Sequence, residues 1–265
     1  TYSQHITSAA KFLPWSSHGV ACPWSRIRGK TNPKVGPASC VSVSTSMGHI
    51  RIVSESKSED AGNFQQDTHG LHAKIPAKHM PEADVLLHAG DFTNQGEVSQ
   101  VQSFAQWLRD YPAKEKVVIA GNHDLSFDEE YCRARMKKTS MCAEVKETLS
   151  GSCTYLEDEF VEVFGYRIYG SPWQPEFCDW AFNLPRGEAL AKVWKKIPDS
   201  LDILMTHGPA YSILDKCQSG LNAGCEELLK AIRKRNVKVH LSGHIHEECL
   251  DLHLFLQAHE PSVAL

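Results

Sequence analysis

The chain has 265 residues, a formal net charge of −4, 42% hydrophobic and 23% charged residues, an ordinary globular composition with room for one large domain or two small ones. That balance leaves no basic footprint for duplex nucleic acid, and no apolar run approaches the roughly 20 residues that a membrane helix needs. The nine cysteines are odd in number, irregularly spaced and contain no C-x-x-C, so scattered thiols in a reducing, cytoplasmic setting are expected rather than a disulfide framework. The start, Thr1 to His5, has neither an initiator Met nor an apolar h-region, as in a processed or partial chain.

In chain order, residues 1–66 are rich in Ser, Thr, Lys, Gly and Pro, and read as a poorly ordered segment with short strands at most. Val41 and Val43, then Ile50, Ile52 and Val53, are the strand candidates, with Met47-Gly48 as their turn. Ser54 to Gln66 is a polar loop. Asp67-Thr68-His69-Gly70 follows, then a basic, proline-containing connector to Pro81. Val85 to Leu87 and Val117 to Ile119 are apolar runs too short for helices, each followed closely by a glycine, and fit buried strands. Between them Val98, Val101, Phe104, Ala105 and Leu108 recur at helical spacing. Strand, crossover helix and strand make a right-handed parallel unit, with ligands off the carboxyl ends of its strands. Asp91 and Asn122 therefore share one rim.

Ser126-Phe-Asp-Glu129 matches a capping box, and a helix is expected from Asp128 to about Lys137. Residues 139–151 are ambiguous. Phe160 to Val163 and Tyr166 to Tyr169 flank Phe164-Gly165 as a hairpin. Trp173, Phe177, Trp180 and Phe182 form an aromatic-rich stretch. A packed satellite core is its ordinary reading and a wall of the substrate pocket its functional one. Arg186 to Lys196 reads as a helix and Ile203 to Met205 as a strand stopping at Thr206-His207-Gly208-Pro209. A helix from Gly224 to about Arg235 carries Cys225, Leu228, Leu229 and Ile232 on one face, with a basic last turn that suits the dipole. Val237, Val239 and Leu241 alternate as a strand ending at Ser242-Gly243-His244-Ile245-His246. The tail, 247–265, does not read as strands.

The polar residues after the strand-like runs are Asp91, Asn122, His123, His207, His244 and His246, to which Asp67 and His69 are added. A lone strand-end histidine is usually a hydrogen-bonded surface residue; four such phrases, each closing its own apolar run, ask for a common cause. This carboxylate, amide and imidazole set without a thiolate suits Mn, Fe or Zn rather than a cysteine-type structural zinc site. Eight candidates are too many for one ion and suit two divalent ions sharing a bridging carboxylate. Such a pair clamps an oxyanion like phosphate and acidifies a bound water. A leaving alkoxide then needs a proton, and His123, beside a presumed ligand, is placed for that work.

The series D-x-H, G-D, G-N-H-D, H-G and G-H-x-H resembles the calcineurin-like metallophosphoesterase superfamily. The fuller phrases look like its metallophosphoesterase domain-containing group: His88 to Thr93, Ile119 to Asp124, Tyr169 to Trp173, Phe182 to Gly187 and Asp202 to Pro209. The resemblance marks 67–247 as a metallophosphoesterase domain, with 1–66 before it and 248–265 as a divergent tail. It implies an α/β fold, a four-layer α/β/β/α sandwich, incomplete at both ends in this chain. It implies one metal on Asp67, His69, Asp91 and His246, and a second on Asp91, Asn122, His207 and His244, with Asp91 bridging. His123 would face the leaving group and Asp124 would orient its imidazole. The reaction implied is hydrolysis of a phosphodiester or monoester by metal-bound hydroxide, with small phosphoesters of the cyclic-nucleotide type as the substrate class. No membrane or duplex nucleic acid partner is expected.

Two departures matter. In the family an apolar strand runs directly into D-x-H, whereas Ala61 to Gln66 is a poor strand here, so either Ser54 to Gln66 loops out or the first strand is lost. The family also continues with strands after G-H-x-H, and this tail shows none. A metal-binding but catalytically impaired interaction protein, or a truncated form of the enzyme, is the alternative reading; a dinuclear amide hydrolase is a third, resting on fold analogy alone.

Overall fold

The structure, a computed structural model, describes residues 40–46, 49–54, 68–74, 80, 82–245 and 253–254. Two mixed five-stranded sheets organise them. The first begins with an antiparallel hairpin of β1 (Cys40–Ser46) and β2 (His49–Ser54). These are the expected strands, and the Met47-Gly48 turn lies outside the described residues. β1 runs antiparallel to β3 (Ala83–His88), which pairs in parallel with β4 (Ala113–Val118), and β4 with β5 (Thr154–Tyr155). The spatial order is β2-β1-β3-β4-β5. Between β3 and β4 runs α1 (Val98–Asp110), whose stripe buries Val101, Phe104, Ala105 and Leu108 as the spacing predicts.

After β4 the chain makes α2 (Glu129–Tyr131), a π-turn over Cys132–Met136 and α3 (Met141–Leu149). The second sheet holds the hairpin of β6 (Glu159–Val163) and β7 (Tyr166–Ser171), followed by the short parallel pair β8 (Gln174–Pro175) and β9 (Asn183–Leu184). Then come α4 (Glu188–Trp194), β10 (Ile203–Thr206), α5 (Glu226–Arg235), β11 (Val239–Ser242) and β12 (His253–Leu254). Its order is β12-β11-β10-β7-β6, with β10 parallel to both β7 and β11.

The period of two in the strands distributes their side chains among three apolar clusters. Leu86, Val118 and Ala120 join Phe104 and Leu108 of α1 and Val145 and Leu149 of α3. Val85, Leu87, Val117 and Ile119 meet Ile168, Ile203, Met205, Val239 and Leu241 of the other sheet. Tyr169 and Leu204 meet Leu190 and Trp194 of α4 and Leu228 and Ile232 of α5. Each fully buried Leu, Ile, Val or Phe contributes about 1.5–3 kcal/mol relative to exposure, so these clusters set the positions of the strand ends. The second cluster is tight: a Cβ on Gly170 of β7 would lie 2.6 Å from Ile119 and 2.6 Å from Leu156.

Several elements differ from expectation. The cap of the second helix is Asp128, whose carboxylate accepts from Tyr131 N at 3.1 Å, while Ser126 is buried with no partner for its hydroxyl. The helix then widens into the π-turn, closed by Lys138 N donating to Cys132 O at 3.0 Å with Lys137 left-handed at φ 55°. The ambiguous 139–151 stretch contains α3, which buries Cys142, Val145 and Leu149. The tail contributes β12, two residues antiparallel to β11, so strand pairing does continue past the G-H-x-H phrase. Among the described residues Cys132, Cys142, Cys153, Cys217 and Cys225 are thiols. Among the described residues no helix is long and apolar enough to cross a membrane.

Candidate metal centre

Asp91 and Asn122 follow β3 and β4 as expected, and His207 and His244 follow β10 and β11, so the carboxyl ends of two parallel pairs, one in each sheet, converge on one place. Asp91 is 1% exposed and adopts a left-handed φ of 54°. Its two carboxylate oxygens face different neighbours. Oδ1 accepts from His123 N at 2.8 Å and lies 3.4 Å from His207 Nε2. Oδ2 lies 3.7 Å from His69 Nε2. Close approach here depends on Gly121, because a Cβ at that position would sit 2.2 Å from Asp91 Oδ1 and 2.5 Å from the His207 ring.

His207 is buried, with Nδ1 2.9 Å from the carbonyl of Ala89, which only accepts, so Nδ1 carries the hydrogen. Its Nε2 then turns toward Asn122 Oδ1 at 2.9 Å and Asp91 Oδ1 at 3.4 Å. With Asn122 Oδ1 so placed, three lone-pair atoms meet in a buried space, an arrangement that a metal ion satisfies. The ring of His244 stands 5.0 Å from that of His207. The ligand atoms of Asp91, His207 and His244 all lie within 4.8 Å of one another, and so do those of His69, Asp91 and His123. Each of these two groups could hold a metal ion, and Asp91 belongs to both. Asp67 and His246 lie outside the described residues.

His69 sits in a turn held by its own N–H to Asp91 O at 2.8 Å and by Gly70 N to Phe92 O at 3.1 Å. His123 is half-buried, packed edge-on against His69 at 4.3 Å and against Trp180 at 4.1 Å. Its Nδ1 donates to the carbonyl of Asn94 at 2.9 Å, which fixes the ring's orientation and leaves Nε2 as the outward ring nitrogen. Asp124 does not orient this ring. Its Oδ2 accepts from Asp91 N at 2.9 Å and Gly121 N at 2.8 Å, and its Oδ1 from Thr93 N at 2.9 Å and Thr93 Oγ1 at 2.7 Å. The resemblance missed this because Asp124 adjoins His123 in sequence, while the backbone turns its side chain toward the neighbouring strand-end loop.

Charge follows from these contacts. Burial would raise the Asp91 pKa; His207, His123 and His69 together outweigh it and hold the carboxyl well below the usual carboxylate range. Asp124 is pushed up to about 7, by burial first and by the Asp91 charge second, against its hydrogen bonds from Thr93 and Gly121. Oδ2 faces only backbone N–H donors, whereas Oδ1 also faces the Thr93 hydroxyl, which can donate or accept, so the site accommodates either form of the carboxyl.

The aromatic stretch divides between its two readings. Phe182 is buried in the core with Trp173 packed edge-on at 5.5 Å, whereas Trp180 lies against His123 and Phe177 against His244 at 5.8 Å. Thr93, Gly121 and the Asn94 carbonyl were not singled out from sequence. Thr93 and Gly121 lie inside the quoted phrases, which was the available signal.

The strand ends thus define a mixed α/β protein with a buried acid-and-histidine centre. A sequence profile of the calcineurin-like phosphoesterases matches residues 65–248. Metallophosphoesterase domain-containing protein 1 of Homo sapiens is 44% identical over 189 residues, 66% of this chain and 58% of that protein, and the Mus musculus protein matches equally. A UPF0046 protein of Caenorhabditis elegans is 38% identical over 198 residues, 68% of this chain and 50% of its own length. The chain belongs to the calcineurin-like phosphoesterase family. It spans 58% and 50% of the length of these human and nematode relatives.

Proposed function

We propose that this chain is a binuclear metal-dependent phosphoesterase that hydrolyses phosphodiesters, cyclic-nucleotide-type esters among them. The observation that carries the reading is the split environment of Asp91, one oxygen toward His207 and the other toward His69, which is what a bridging ligand requires. Asn122, His207 and His244 would complete one site, and His69 the other, with Asp67 and His246 joining it as the family resemblance implies. When bound, manganese or a similar ion pair supplies Lewis acidity that neutralises phosphate charge and activates water. The remaining work falls to the chain. Asp91 holds the two sites together, Asp124 fixes the loop that carries Asp91, and His123 Nε2 delivers a proton to the leaving alkoxide.

The three apolar clusters support a four-layer α/β/β/α sandwich as the scaffold, over a domain of 67–247. The partner is a small phosphoester, with no membrane or duplex nucleic acid involved, in the cytoplasm. The test is turnover of bis-p-nitrophenyl phosphate with added Mn²⁺. Wild-type protein turns it over, and Asp91→Asn loses activity by several orders of magnitude while circular dichroism shows it folded. Near-normal turnover in Asp91→Asn at normal metal content would overturn the bridging assignment, and a metal-loaded wild type without turnover would favour the impaired, metal-binding alternative.

A further inference from the structure

The loop between β8 and β9 carries two aromatic side chains that the core does not take. Phe177 is 41% exposed and stands edge-on to His244, ring centres 5.8 Å apart at 84°. Trp180 is half-buried, its ring centre 4.1 Å from that of His123 with a 40° tilt. His244 and His123 belong to different ligand groups that share Asp91, so one aromatic ring stands beside each half of the centre.

Their placement is built into the backbone. Gln174 N donates to Phe182 O at 3.1 Å and Glu176 N to Leu184 O at 3.0 Å. Phe182 N donates to Asp128 Oδ2 at 2.8 Å, and Asn183 Nδ2 to Phe177 O at 2.9 Å and Cys178 O at 3.2 Å. Ala181 N donates to the carbonyl of Asn122, at 3.3 Å, which ties the loop to the centre itself. The backbone that carries both rings is held before anything binds, and a pre-organised contact gives up little conformational freedom on binding.

Resting on the phosphoesterase reading, we propose that Phe177 and Trp180 are specificity-determining residues that grip a nucleobase on the part of the phosphoester other than the leaving group. Such a ring offers the π-face that aromatic side chains recognise without regard to base identity, and a small alkyl group does not. Stacking of this kind changes affinity by roughly 5- to 150-fold per ring.

The test compares two diesters with the same leaving group, thymidine 5′-(p-nitrophenyl phosphate) and ethyl p-nitrophenyl phosphate. Because both release p-nitrophenolate, any damage to His123 or the ions cancels in the ratio of their kcat/KM values. The expected ratio is about tenfold or more in favour of the thymidine ester, carried by KM. It falls toward one in Phe177→Ala and Trp180→Ala. Trp180→Phe retains most of it and Trp180→Leu, apolar without a face, does not. A wild-type ratio near one, or a ratio unmoved in both alanine variants, overturns the proposal. If neither ester is turned over, the phosphoesterase reading fails by itself, and calorimetry of Mn²⁺-loaded protein with thymidine 5′-monophosphate and ethyl phosphate decides the aromatic grip separately. Tighter binding of the nucleotide, lost in both alanine variants, supports it; equal binding of the two overturns it.

Discussion

The two halves of the centre share Asp91 but are built differently. The His207 half stands on strand ends: His207 follows β10, His244 follows β11 and Asn122 follows β4, and His207 is held by Ala89 O on one nitrogen and faces Asn122 on the other. The His69 half stands on a turn, secured mainly by two backbone hydrogen bonds to Asp91 and Phe92 and by the 3₁₀ turn Leu71–Lys74 beyond it. In that turn His72 is buried against Phe104 and Trp107 of α1. A ligand fixed by a sheet has its ordering cost met by folding, whereas a ligand on a turn meets part of it when the ion arrives, roughly 1–2 kcal/mol per residue ordered. The same residue types can therefore make one tight and one weak site.

The largest effect should separate the halves outright. His207→Ala is expected to abolish turnover at any Mn²⁺ concentration, while His69→Ala recovers activity as Mn²⁺ is raised. In wild type, calorimetry and turnover followed together should show the Asn122, His207 and His244 site filling first and activity rising with the second ion. Two equally tight sites, with full activity at two equivalents, would erase the distinction. Next in size is His123→Ala, expected to keep both ions and lose roughly 10²–10⁴ in rate, the span of a general acid. That loss should shrink for p-nitrophenolate relative to alkoxide leaving groups; an equal penalty for both counts against proton delivery.

The smallest effect concerns the anchor of the weaker half. Burial lowers the His72 pKa from 6.5 to about 4, so between these values the unfolded chain binds the proton more readily than the folded one. Stability contributed by neutral His72 is present above 6.5 and falls as pH drops toward 4, by up to about 1.4 kcal/mol per pH unit. Urea midpoints measured across that window should fall with pH in wild type and less steeply in His72→Leu. Parallel slopes in the two proteins would remove His72 from the account.

Much of this was legible in the sequence because apolar runs followed closely by a glycine are strong signals. β3, β4 and β10 and the stripe of α1 follow from spacing alone, and so does the placement of Asp91, Asn122 and His207 at one rim. What was not legible is long-range accounting. Asp124 looked like a partner of its neighbour His123, yet its four donors come from Asp91, Thr93 and Gly121. The division of the aromatic stretch was open for the same reason, since Trp173, Phe177, Trp180 and Phe182 look alike until the loop's backbone bonds decide which rings face inward. α3 had a signal, Cys142, Val145 and Leu149 at helical spacing, that went unused. β12 had none, because two paired residues leave no periodicity.

The four-donor cradle around Asp124 bears on how descendants of such a protein would be read. Asparagine there would turn an N–H₂ toward N–H groups, so the fold itself asks for the aspartate whether or not any phosphate is ever cleaved. Asp124 is thus a marker of architecture. On the function proposed above, a loss of catalysis would be written elsewhere, at His123, at His69 or at Asp91, while the G-N-H-D phrase kept its last letter.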